Sequence, residues 1–198
     1  RSRFGKDHPL SDLHRHAAEL EAGLDFIRQS PKDAGELKMI VRRPDVCLRE
    51  VLDVGELDLT DGLVGDNWKA KGSSRTDDGS AHPDMQLNIM NARAIEWIAQ
   101  SRDRWPLAGD QLYIDLDLSS ENLAPGTRLK LGEAIVEVTA QPHTGCKKFV
   151  ERFGLDAMLF VNSEVGRSLN LRGINAKVVQ PGRIQVGNVV TKIEANHS

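Results

Sequence analysis

The segment Gln141-Pro-His-Thr-Gly-Cys-Lys-Lys-Phe-Val-Glu-Arg-Phe-Gly154 holds the residue types most able to do chemistry. Cys146, Phe149, Val150 and Phe153 stand at i, i+3, i+4 and i+7, which predicts a short helix opened by Gly145-Cys146 and closed by Gly154. A thiol at a helix opening meets unpaired amide N–H groups and the positive end of the helix dipole, and Lys147, Lys148 and His143 are placed to add positive charge. Such surroundings suit an anionic sulfur, which is both a nucleophile and a soft-metal ligand. The competing reading makes Cys146 a small buried hydrophobe, Lys147 and Lys148 a solvated helix edge and Thr144 a simple cap.

Cys47 lies between Val46 and Leu48 and reads as a packing residue. The two cysteines are far apart with no CxxC pair, so neither a disulfide framework nor a four-ligand zinc site is expected, and the compartment reads as reducing. His143 and Cys146 could offer two metal ligands, but no neighbouring Cys or His completes a tetrahedral set. The chain carries no phosphate-binding glycine loop, dinucleotide fingerprint or G-x-S-x-G elbow.

The elements that must position Cys146 read mostly as strands with a few helices. Leu10, Leu13, Ala17, Leu20, Leu24 and Ile27 recur at steps of three and four, which predicts one amphipathic helix with Ser11 as N-cap and Pro31 beyond its end. His14 and His16 diverge on that helix and form no ligand pair. Leu37–Val41 reads as a strand, and the Val51–Gly65 stretch as short segments broken by glycine. Lys69–Pro83 has almost no apolar content and reads as a long mobile loop. Leu87, Met90, Ala94, Trp97 and Ile98 predict a second helix ending near Ser101. Leu112, Ile114, Leu116 and Leu118 alternate with polar residues as in a strand with one wet face. Arg128–Leu131, Gly132-Glu133 and Ala134–Thr139 predict a β-hairpin. The stretches Ala176–Gln180, Ile184–Val186 and Val189–Ile193, joined at Pro181-Gly182 and Gly187-Asn188, predict the same device again. Many short strands with glycine turns favour a closed β-barrel with peripheral helices over alternating βαβ units. No repeat or linker divides the chain; the expected division is a tail and helix over 1–34 and a barrel domain over 35–198.

Composition narrows the function classes. The 198 residues are 39% hydrophobic and 28% charged, the make-up of an ordinary globular domain. Lys and Arg number 26 against 29 Asp and Glu, a formal charge of −3, which argues against nucleic acid as a partner. No stretch approaches the roughly 18 apolar residues of a membrane span, and no signal-peptide core opens the chain, so a soluble cytoplasmic protein is expected. Arg1–His8 is set aside from fold reasoning.

The run Leu112–Gly132, then Val138-Thr139, Pro142-His-Thr-Gly-Cys-Lys-Lys-Phe149, Leu171-Arg-Gly-Ile174 and Val178–Asn188, resembles the MOSC domain, the C-terminal domain of molybdenum-cofactor sulfurases. The likeness spans roughly 35–193, and its most specific part is the strand, the Pro-x-x-x-Cys turn and the later Arg-Gly taken together. It implies a barrel-like fold whose family cysteine, here Cys146, serves as a metal ligand or a sulfur carrier. It also implies molybdenum cofactor. The residues expected to bind it are His143, Lys147, Lys148, Arg152 and Arg172, the last four available to neutralise the pterin phosphate. Pyridoxal phosphate enters by family association alone, through desulfurases that supply sulfur. Two departures stand out. Larger members carry a separate N-terminal β-barrel where one helix and a tail stand here, and the Lys69–Pro83 loop differs from the His-Gly pattern of the hydroxylaminopurine-resistance branch. A stand-alone member with a shallower or dimer-completed site is therefore expected.

Three functions follow as expectations. The first is a molybdenum-cofactor protein acting on a small molecule, with reduction of N-hydroxylated compounds as its chemistry. The second is a metal-free sulfane-sulfur carrier charged by a cysteine desulfurase through a persulfide on Cys146. The third is a non-catalytic interaction module whose long loop recognises a partner.

Overall fold

Strand β1 (Gly35–Arg42) sets the architecture because it is buried on both faces. A register shift between Leu37 and Met39 turns consecutive residues to opposite sides, so Leu37 and Ile40 point into one core while Met39 and Val41 enter another. The computed structural model describes residues 13–193. In chain order the other strands are β2 (Glu50–Leu52), β3 (Val54–Asp58), β4 (Gly62–Leu63), β5 (Leu87–Asn91), β6 (Leu112–Asp115), β7 (Arg128–Leu131), β8 (Ala134–Val138), β9 (Ile174–Gln180), β10 (Gly182–Gln185) and β11 (Val189–Ile193). Seven of them close a barrel in the order β1-β11-β7-β8-β9-β5-β6 and back to β1, with β2 added beside β1 and β10-β3-β4 forming a small second sheet. Neighbours in the barrel run antiparallel except β5 and β6.

The helices are α1 (Ala17–Ala22), α2 (Leu24–Arg28), α3 (Trp68–Lys71), α4 (Ala92–Ala99), α5 (Lys147–Phe153), α6 (Leu155–Asn162) and α7 (Glu164–Ser168), with 3₁₀ turns at Pro83–Met85 and Arg102–Ala108. Helices hold about as many residues as strands, so the outer surface of one barrel wall is covered rather than wet. One apolar cluster fills the barrel, with Leu112, Ile114, Leu116 and Leu118 among its members. A second, including Tyr113, Met90, Trp105 and Phe153, packs between that wall and the helices. The wet face expected for β6 is therefore an inner seam, and Tyr113 is wholly buried with its hydroxyl donating to the Trp105 carbonyl at 2.8 Å.

Several expected elements take a different form. Leu87 and Met90 belong to β5, and the helix begins only at Ala92, where the Asn91 side chain caps Arg93 and Ala94 N–H at 2.7 and 3.2 Å. A strand buried on both faces shows an apolar run that helical spacing fits equally well. The single N-terminal helix is broken in two at Gly23, where any β-carbon would overlap the Trp97 indole. Its expected cap, Ser11, lies outside the described residues. The β7–β8 hairpin forms as expected, with Gly132 at φ +55 in its turn. The C-terminal hairpins do not form. Strand β10 leaves the barrel to pair with β3, and β11 pairs with β7 and β1, so the turns at Pro181-Gly182 and Gly187-Asn188 pass the chain between sheets.

The Lys69–Pro83 stretch opens as α3 and then closes on itself. Ser73 N–H bonds the Gly79 carbonyl at 3.2 Å, and Thr76 Oγ1 donates to the Ser80 carbonyl at 2.6 Å.

Candidate functional site

Cys146 is placed by a clamp and by two anchors. Asn162 on α6 accepts from Gly145 N–H at 2.9 Å and donates to the Gly145 carbonyl at 3.1 Å, which fixes the turn just before the cysteine. A β-carbon at Gly145 would stand only 3.0 Å from Val161 and 3.2 Å from Met158. Cys146 is then the N-cap position of α5, in extended conformation, and Phe149 and Phe153 hold that helix by burial in the outer core. Its side chain is exposed, so it is not a core hydrophobe. The loop before it is tied by Asn175, whose amide donates to the Gln141 and Pro142 carbonyls at 3.0 and 3.3 Å.

Cys146 lines a cavity of about 200 Å³. Six cations line it as well: Arg43, Arg49, Lys71, Lys148, Arg152 and Arg172. They arrive from the end of β1, the loop after it, α3, α5 and the turn before β9. Two wholly buried carboxylates stand behind them. Asp66 takes a bidentate bond from Arg43 at 2.7 and 2.9 Å, and Asp110 takes Arg172 Nη1 at 2.6 Å. With Asp45 also on the wall, positive charge still outnumbers negative by six to three. Burial first, then Arg43, Lys148 and Arg49, lower the pKa of Lys71; burial, Arg152 and Arg43 do the same for Arg49. Like charges crowded this way are a standing cost that an anion would relieve.

The other oxygen of Asp110 meets His143 Nε2 at 2.9 Å. Burial works to raise the Asp110 pKa, but Arg172 and His143 outweigh it and hold the carboxyl below its usual range. An ionised carboxylate only accepts, so Nε2 of His143 carries the hydrogen and Nδ1 keeps its lone pair. Burial, with Arg172 beside it, lowers the His143 pKa. His143 is therefore neutral near pH 7 and adds no positive charge to the thiol, contrary to the expectation from sequence. Gly173, at φ +123, lets the chain pass: a β-carbon there would stand 2.5 Å from the Ile89 carbonyl and 3.0 Å from the His143 ring.

His143, Cys146, Lys148, Arg152 and Arg172 all line this cavity. Lys147 is exposed and is absent from the wall, because adjacent helix positions diverge by about 100°. Arg172 is buried and its outer nitrogens are already engaged, Nη1 by Asp110 and Nη2 by the Ala108 carbonyl at 2.8 Å, with its guanidinium 5.1 Å from the Phe149 ring centroid. It frames the site rather than offering a free fork. Cys47 is not packed: it is exposed, flanked by exposed Val46 and Leu48, and lines the same cavity. Nothing local in the sequence marks Arg43, Arg49, Lys71 or Asp110 for this site; Arg43 lies just past the Leu37–Val41 strand reading. Among the described residues, no group of three or more His, Cys, Asp or Glu is placed to hold a metal ion.

The family model for the MOSC domain matches residues 76–191, more than half of the chain. The chain belongs to the MOSC domain family. This MOSC protein therefore comes from a family known to bind molybdenum cofactor. Its fold is similar to that of YuaD from Bacillus subtilis, at 17% identity over 80% of this chain and 94% of that one, with a TM-score of 0.61. YiiM from Escherichia coli is similar at 20% identity over 82% and 72% of the two chains, with a TM-score of 0.51. No match was found among curated proteins. No helix of the described residues is long and apolar enough to cross a membrane.

Proposed function

We propose that this MOSC protein binds molybdenum cofactor in the cation-lined cavity, with Cys146 Sγ as the protein's ligand to the metal. The observation that carries the reading is the convergence of an exposed thiol and six cations on one cavity of about 200 Å³. The residues present fit the group. Thiolate sulfur is a soft donor suited to such a metal, and a crowd of fixed cations suits a phosphate. Gly109 leaves a cradle between two of them, since a β-carbon there would project to 3.7 Å from both Arg152 Nη1 and Arg49 Nη2. The buried Arg172 Nε has no hydrogen-bond partner among the described residues, which leaves one donor for a ligand atom or water.

When bound, the cofactor would supply two-electron redox chemistry, here toward small N-hydroxylated compounds. The chain's own residues bind and orient. Arg152, tied to the Leu107 carbonyl at 2.7 Å, and Arg49, tied to the Pro106 carbonyl at 3.2 Å, hold the anionic end in place. Asp110 fixes the His143 tautomer so that Nδ1 is the atom able to take a proton. Exposure of Cys146 also favours a second reading, sulfur carriage as a persulfide received from a cysteine desulfurase.

Molybdenum content, measured by mass spectrometry on protein made in a host that synthesises the cofactor, tests the proposal. Close to one metal per chain is expected, with loss in Cys146→Ser at unchanged circular dichroism. Metal content equal in parent and variant, or absent from both, overturns it; sulfane sulfur on Cys146 of a metal-free protein would support the carrier reading instead.

A further inference from the structure

Two accessible thiols in one cavity go beyond the reading above, which uses a single sulfur. Cys47 is the third residue of a turn closed by Leu48 N–H to the Asp45 carbonyl at 3.1 Å, and its φ is +63. That left-handed backbone is free for glycine, tolerated by asparagine and costlier for cysteine. Packing gives no reason for a cysteine there, because Val46, Cys47 and Leu48 are all exposed. What the side chain does have is the cavity wall, which it shares with Cys146, Arg43, Arg49, Lys148 and Arg152. Cys146 is held by the Asn162 clamp and α5, whereas Cys47 sits on a short exposed turn at the same cavity.

The geometry points to Cys146 and Cys47 as a thiol-exchange pair, nucleophile and resolving thiol, for small disulfides that carry carboxylates. Cys146 Sγ, as thiolate, attacks one sulfur of R–S–S–R; that S–S bond breaks, one RS⁻ leaves and takes a proton from water, and the other R–S remains on Cys146. Cys47 Sγ, as thiolate, then attacks Cys146 Sγ, forming the Cys47–Cys146 bond and releasing the second RS⁻. The two cysteines lose two electrons and the substrate disulfide gains them, ending as two thiols. The cations select the substrate: carboxylates are drawn into the cavity and ammonium groups repelled. Closing the pair removes both thiols from the cavity until a reductant reopens it.

The test treats the full-length protein with glutathione disulfide or with the cationic disulfide cystamine, followed by intact-mass and peptide mapping. With glutathione disulfide the parent is expected to lose two hydrogens, keep no glutathione and yield a peptide linking Cys47 to Cys146 within one chain. Cys47→Ser and Cys47→Ala, both checked for native circular dichroism, are expected to stop with one glutathione on Cys146. Cystamine should react at least about tenfold more slowly. Glutathione retained by the parent, a link between two chains, loss of the glutathione adduct in the Cys47 variants, or cystamine reacting as fast as glutathione disulfide overturns the inference. Molybdenum plays no part in this readout, so failure here and failure of the cofactor proposal are told apart.

Discussion

Arg172 meets Asp110 at 2.6 Å where both side chains are almost wholly out of solvent, so each is the other's answer to burial. A buried pair of this kind is weak evidence of net stabilisation, but breaking it on one side strands the remaining charge. Asp110→Asn should therefore lower stability by about 3–5 kcal/mol. Chemical denaturation at pH 7.5 measures it, and a change under about 1 kcal/mol would show that water reaches Arg172 freely.

The same cluster sets an acid sensitivity. Both His143 and Asp110 have folded pKa values below their ordinary ones, so each contributes stability that is present above its unfolded value and lost as pH falls toward its folded value. For His143 the loss begins below about pH 6.5, and for Asp110 below about pH 4. Denaturation midpoints from pH 7.5 to 5 should fall in the parent and fall less in His143→Gln. Identical slopes in the two proteins would assign the first window to another group.

The engaged fork of Arg172 separates framing from ligand binding. Arg172→Lys should lose the Ala108 bond and destabilise the fold by about 1–2 kcal/mol. Arg152→Ala should leave the fold nearly intact and weaken pyrophosphate binding by roughly ten- to a hundred-fold, while Lys147→Ala leaves it unchanged. Calorimetric titration of the three variants decides, and a Lys147 effect as large as that of Arg152 would misplace the anion.

Part of this site is legible in the amino-acid sequence because it is local. The spacing of Cys146, Phe149, Val150 and Phe153 fixes a helix and places the thiol at its opening, and Gly132 marks the β7–β8 turn. The rest depends on residues far apart in the chain. Asp110 and Arg172 are separated by 62 positions, and nothing in either neighbourhood signals the other. Cys47 sits between two apolar residues, which reads as packing until the turn is seen to carry all three outward. Met90 and Leu87 mislead for another reason: a wall with one core inside and another outside erases the alternation that marks a strand. Glycine and proline at 181–182 announce a change of direction but not which sheet receives the chain next.

The barrel closes where Gly35 and Glu36 pair with Val190 and Val189, a two-residue seam between its first and last strands. On a ribosome, β1 emerges long before its partner, so the cylinder stays an open, unsealed sheet until nearly all of the described chain has been translated. No residue later than Arg172 lines the cavity, and the Asn175 tie behind its Cys146 loop also precedes β11. Its walls can gather while the seam still gapes, and joining of the seam is then the late step that locks them.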